Sequence, residues 1–212
     1  MFEIFVAAFV TFFVIIDPPG VAPMFATLTE NTSREWQKKM AYKSIFVAAF
    51  VIIGFAFGGE WLLGKLHVSL DSFRIAGGLL LFLIAVDMLF EKRTERRDER
   101  NEKVLTEAKK HRERFEDVSV FPLAIPLLAG PGAIASIMLH FAAYKDFMAK
   151  MAVLGGAMAN LLICLVVFLL AGRITKAMGP TIAAMLERIL GIILAALAAQ
   201  FVIDGLKGAF HL

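Results

Sequence analysis

Six apolar runs, each within the ~17–25 residues that a membrane-spanning helix needs or longer, alternate along the chain with polar or charged stretches. They are Phe2 to about Leu28, Ala41–Leu63, Phe73–Phe90, Val118–Phe141, Met148–Ala171 and Ile182–Leu206. Two of the six cannot be continuous helices. The first carries Asp17-Pro18-Pro19-Gly20 in its middle, and the fourth carries Ala129-Gly130-Pro131-Gly132. Proline lacks a backbone donor and clashes with the carbonyl four residues earlier, and glycine adds backbone freedom. The peptide groups freed at such breaks find no partner in lipid. Broken backbone at membrane depth is tolerated only where it is buried in protein or lines a wet cavity. The pattern predicts an all-α integral membrane protein of six transmembrane segments, the first and fourth each split into two half-helices. The breaks then mark a site near the bilayer midplane.

The same landmarks give the chain an internal period. Pro19-Gly20 aligns with Pro131-Gly132 at an offset of 112 residues, and Arg74-Ile75-Ala76-Gly77 aligns with Arg188-Ile189-Leu190-Gly191 at an offset of 114. Both halves run broken helix, helix, helix. Three spans is an odd number, so the second half enters from the opposite side, as an inverted repeat. The expected organisation is a first three-helix repeat at 1–90, a charged linker at 91–117 and a second, inverted three-helix repeat at 118–212.

Composition supports a membrane location. Apolar residues make up 59% of the 212, and the mean hydropathy is +0.74, above what a soluble domain carries. The first run lacks a basic leader, with Glu3 in its place, and continues past the proline pair, so it is read as a span rather than a signal peptide. Of the 41 Lys, Arg, Asp and Glu residues, 19 fall in 91–117. Lys and Arg divide 17 against 5 between the two sides of a six-span topology. The positive-inside rule then places both termini outside the cell and 91–117 in the cytoplasm of a multi-pass plasma-membrane protein. Ten basic and nine acidic residues in that stretch balance too closely for nucleic-acid binding; it reads as a solvated connector. Cys164 is the single cysteine, which excludes an intrachain disulfide. No His/Cys cluster suggests a metal site or cofactor.

The candidate substrate-binding residues are the breaks themselves: Asp17, Pro18, Pro19 and Gly20, with Ala129, Gly130, Pro131 and Gly132. A half-helix N-terminus presents unpaired N–H groups and a C-terminus presents carbonyls. Antiparallel broken helices bring both kinds of end to one point, which suits a zwitterion. Its carboxylate would sit on the N–H groups after Gly20 or Gly132, and its ammonium on the carbonyls before Asp17 or Ala129. Asp17 is the deepest acid. It reads either as a ligand for an ammonium, sodium ion or proton, or as the cap of the second half-helix. Asn160 and Gln200 are the other ion-coupling candidates, with an interhelical hydrogen bond as the plainer role of each. Asp87 and Asp204 lie near span ends. Thr11 and Ser136 flank the breaks, where bonding to their own helix competes with a ligand role.

Ile16-Asp17-Pro18-Pro19-Gly20-Val21-Ala22-Pro23-Met24 resembles the first signature of the MarC/SnatA family of six-span membrane proteins. Pro122-Leu-Ala-Ile-Pro126-Leu-Leu-Ala-Gly-Pro-Gly132 resembles the second. The likeness covers the whole chain, although the family often carries Asn where Asp17 stands. It implies a transporter of small neutral amino acids of the glycine, alanine and serine class. The residues alone imply a small-solute carrier working by alternating access, with a sodium or proton gradient as its energy source. No nucleotide-binding motif is present, and no Ser/His, paired-Asp or H-E-x-x-H constellation suggests an enzyme. A small-solute channel or an exporter of another metabolite is the alternative. The expected partners are a small neutral amino acid, Na+ or H+, and the bilayer; homo-oligomerisation is left open.

Overall fold

The computed structural model describes residues 1–30, 32–90 and 119–211, so the charged stretch 91–117 and Val118 lie outside the described residues. Within them every regular element is helical. In chain order these are α1 (Phe2–Ile16), α2 (Pro18–Leu28), α3 (Arg34–Lys65), α4 (Leu70–Leu89), a π-helical segment α5 (Ser119–Leu128), α6 (Pro131–Ala143), α7 (Phe147–Leu169) and α8 (Ala171–Phe210). Five stretches among the described residues are long and apolar enough to cross a membrane: Phe2–Leu28, Arg34–Lys65, Leu70–Leu89, Phe147–Leu169 and Thr181–Phe210. The fourth apolar run contributes the shorter helix Pro131–Ala143 and the π-helical segment before it.

Both expected interruptions are present, and each is tighter than the motif containing it. In the first, only Asp17 leaves the helical conformation, and Pro18 and Pro19 open α2. Proline suits that place, because the first helical amides have no intrahelical partner. In the second, the chain leaves the helix at Ala129–Gly130 and resumes at Pro131. Upstream, Pro122 and Pro126 lie in α5, whose wide turn closes with Ala129 N–H donating to the Ala124 carbonyl at 2.9 Å. A π turn carries the backbone five residues between partners.

Two other boundaries differ from the hydropathy reading. The polar stretch 34–39 is the first turn and a half of α3 rather than a loop. Ser33 caps it, accepting from Trp36 N–H at 3.2 Å, and Glu35 stands in its first turn, as the dipole favours. Ser69 and Asp146 cap α4 and α7 in the same way. Helix also continues through 171–178, ahead of the sixth run, and turns sharply at Gly179, where φ is 63° and ψ 167°. That conformation is open to glycine and strained for other residues.

Close packing uses small residues, since lipid leaves little hydrophobic drive between helices. α4 and α8 run antiparallel: a Cβ at Gly78 would meet the Ala198 carbonyl at 2.8 Å, and one at Gly191 would meet Met88 Cβ at 2.9 Å. α1 and α7 run side by side, with Gly156 against Phe5, Ala8 and Phe9. α3 packs on α5, α6 and α7, α2 on α7 and α8, and α6 on α4. Two buried clusters result. The larger joins α1, α2, α3, α5, α6 and α7 with Ala171 at the start of α8, and includes Phe12, Ile16, Phe25 and Leu128. The smaller joins α4 and α8 with Val14 of α1. Outside them, Phe46, Phe50, Phe57 and Trp61 are exposed along α3, an apolar surface suited to lipid.

Candidate functional site at two helix breaks

The first break is built by one residue. Asp17 adopts a left-handed conformation (φ 54°, ψ 65°), which Asp visits more readily than most L-residues because its short side chain can bond locally. Its N–H donates to the Phe13 carbonyl at 3.0 Å and closes α1. Its carbonyl accepts from Val21 N–H at 3.0 Å and opens α2. Its carboxylate Oδ1 accepts from Gly20 N–H at 3.1 Å, so the capping role weighed for Asp17 is present. A side chain on Gly20 would run into that carboxylate. Asp17 is 1% exposed.

This arrangement leaves the two faces of the break unlike. On the α2 side, Pro18 and Pro19 have no N–H, and the next two amides bond to Asp17 itself. On the α1 side, the helical donors for the Val14 and Ile15 carbonyls would be the amides of residues 18 and 19, both proline. The first break therefore offers oxygen atoms.

The second break is built the other way. Gly130 is the N-cap of α6, in extended conformation, and no side chain caps the helix. Its carbonyl accepts from Ile134 N–H at 3.0 Å. Pro131 brings no donor, so the amides of the first turn are those of Gly132 and Ala133. Ser136 stands one turn along on the face of Gly132. Its Oγ is fully buried and has no hydrogen-bond partner among the described residues.

The two breaks are neighbours. A Cβ at Gly132 would lie 3.3 Å from Ile15 Cγ2, 3.0 Å from Leu81 Cδ2 and 3.3 Å from Ile84 Cδ1. α6 then runs antiparallel to α1, with the His140 ring 6.1 Å from that of Phe12.

The remaining candidates separate. Asn160 is fully buried and bridges to α1, its Nδ2 donating to the Phe9 and Gly156 carbonyls, each at 2.9 Å. Its Oδ1 has no partner among the described residues. One turn further along the same face lies Cys164, buried in the larger cluster. Gln200 is exposed on α8 and donates to Asp204 Oδ1 at 2.7 Å, on the protein surface. Thr11 bonds back to the Ala7 carbonyl at 2.9 Å. His140 places Nδ1 2.9 Å from the Ser136 carbonyl. Among the described residues no group of His, Cys, Asp and Glu could hold a metal ion. The sequence reading did not single out Ile15, whose side chain lies against Gly132. Its place one turn before Pro19 is the signal that would have put it at the break.

Residues 2–210 match a family described as MarC family integral membrane protein. The chain is 35% identical over 213 residues to a UPF0056 membrane protein of Methanocaldococcus jannaschii, covering 98% of each chain. It is 37% identical to one of Archaeoglobus fulgidus, covering 95% of this chain and 92% of that one. It is 31% identical to the UPF0056 membrane protein YvbG of Bacillus subtilis, covering 99% and 97%. No solved structure matches the chain.

Proposed function

The chain belongs to the MarC family of integral membrane proteins, and from that premise we propose that it is a secondary transporter of small neutral amino acids. One observation carries the reading. Two helix breaks lie against each other in an apolar core, one with carbonyls and a carboxylate, the other with amides no side chain caps. A zwitterion carries one charge for each kind of partner. Gly130 and Gly132 let backbone approach the ligand, and Ala129 and Ala133 are small. Little room is left for a substrate side chain, and the motifs 17–20 and 129–132 contain no Lys or Arg to take a second carboxylate.

An inverted repeat underlies the proposed transport cycle, and the packing supports it. α1 lies on α7 as α5 lies on α3, α2 lies on α8 as α6 lies on α4, and α4 and α8 pack on each other. Exchanging the halves reproduces the pattern, the symmetry that lets a site open alternately to either side. In this reading there are six spans, both termini lie outside the plasma membrane, 91–117 is cytoplasmic, and a sodium or proton gradient drives transport.

Counterflow of labelled glycine in proteoliposomes tests the proposal, with sodium and pH varied separately. Saturable exchange is expected, inhibited by alanine and serine, more weakly by leucine, and least by glutamate and lysine. Leucine or glutamate competing as well as alanine would remove the backbone-walled site. Fast unsaturable flux would make the protein a channel. Gly132→Val, which places two further methyl groups against Leu81, Ile15 and Ile84, should abolish exchange.

A further inference from the structure

We infer that the site is polar in a fixed sense: the substrate carboxylate binds at the second break, on the Gly132 and Ala133 amides and the Ser136 hydroxyl, while the first break takes the ammonium. The inference rests on the proposed amino-acid transport and assigns each end of the substrate to one break. Two independent observations carry it.

The first is that the two helix N-termini are not equivalent. At α2, two prolines remove the first two donors, the Gly20 amide is bonded to Asp17 Oδ1 and the Val21 amide to the Asp17 carbonyl. An incoming carboxylate would find no donor there and would face the Asp17 carboxylate. At α6 no side chain takes the first-turn amides, and a helix N-terminus with open amides favours an anion. The helix has 13 residues, long enough for its end charge to develop.

The second is Ser136. Buried hydroxyls in helices usually bond the carbonyl four residues back. Thr11, Thr29 and Ser44 do so here, at 2.9, 2.8 and 2.7 Å. Ser136 does not, although it is fully buried. Helical side chains lean toward the N-terminus and lie over the residue four back, so Ser136 leans toward Gly132 and the open first turn. A buried polar atom without a partner costs stability, and a carboxylate oxygen seated on the first-turn amides would supply the partner. The opposite charge has its place at the neighbouring first break, where the Ile15 Cγ2 methyl would lie 3.3 Å from a Cβ on Gly132. There proline removes the helical donors of the Val14 and Ile15 carbonyls, beside Asp17.

The test uses the full chain in proteoliposomes and compares glycine with glycinamide, which keeps the ammonium and lacks the carboxylate, as competitors of labelled glycine. The unaltered protein should prefer glycine by at least about tenfold. Ser136→Ala should weaken glycine about tenfold, the size of one hydrogen bond to a charged group. Glycinamide should change by less than about twofold, so the preference collapses. Asp17→Asn should weaken both ligands together and preserve the preference. Ser136→Cys, nearly isosteric and a weak donor, should repeat the alanine result and serves if the alanine variant does not insert. An unchanged preference in both Ser136 variants overturns the assignment, and a preference that collapses in Asp17→Asn instead reverses it. Failure of the unaltered protein to take up or bind glycine overturns the transport reading and the assignment with it, an outcome distinct from a transporter whose Ser136 variants behave normally.

Discussion

A left-handed aspartate between two helices has to satisfy two backbones at once, and Asp17 uses its N–H, its carbonyl and its carboxylate to do so. Substitutions can separate the acceptor from the charge. Asn keeps an acceptor oxygen and tolerates the left-handed conformation, so Asp17→Asn should insert and melt like the unaltered protein while losing ion coupling or substrate affinity. Ala loses the cap, at about 1 kcal/mol, and sits poorly in that conformation, at ~1–2 kcal/mol. Asp17→Ala should therefore lower thermal stability as well, measured by size exclusion after heating. Normal transport with unchanged ion dependence in Asp17→Asn would leave Asp17 as a cap alone. From the sequence, cap and ligand were equally readable, because an acidic side chain before a helix start serves either role. Only the φ angle and the Gly20 amide distinguish the structural part of the role. Ser136 shows the complementary case. Its neighbourhood of the break was legible, but its missing bond was not, since that depends on a rotamer set by packing.

At the level of elements, adjacent glycines of α7 make different demands. A Cβ at Gly155 would touch the Phe5 ring at 3.5 Å, ordinary contact. One at Gly156 would lie 2.8 Å from the Phe9 backbone nitrogen and 3.1 Å from the Phe5 carbonyl, neither of which can turn aside. Gly155→Ala should leave transport and stability nearly unchanged, whereas Gly156→Ala should push α7 off α1 and strain the Asn160 bridge. Thermal unfolding of the two variants in detergent checks this; equal midpoints would contradict it. The breaks in the first and fourth runs were legible because proline acts locally and glycine marks where helices fail. The helical ends were less so. Hydropathy reports where apolar surface begins, not where a capped polar turn begins, so the second apolar run starts at Ala41 although α3 starts at Arg34 behind Ser33. The π turns of α5 were hidden for another reason: proline says that a helix must adjust, but not whether it breaks or widens.

For the molecule as a whole, the sequence carried the number of apolar runs and their breaks, whereas the neighbours of each helix required the structure. Nothing in the spacing of Gly78, Gly191 or Gly205 says that α4 lies along α8. Orientation is testable without further coordinates. Cys164 is buried, so a cysteine introduced by Leu105→Cys can be labelled against a quiet background. In intact cells it should resist a membrane-impermeant maleimide and react after permeabilisation; labelling from outside would invert the topology.

Val14 belongs to the smaller buried cluster and Ile16 to the larger, two residues apart on one short helix. Phe12 on the same helix also belongs to the larger cluster, so α1 lies along the seam, its Val14 side on α4 and α8 and its Phe12 and Ile16 side on the rest. If the α4 and α8 pair tilts against the remainder, the surface that slides is the Val14 side of α1, three residues before Asp17. The proposed site would then stand at the end of that seam, so that occupying it and setting the angle between the two bodies become one event rather than two events in need of a linkage.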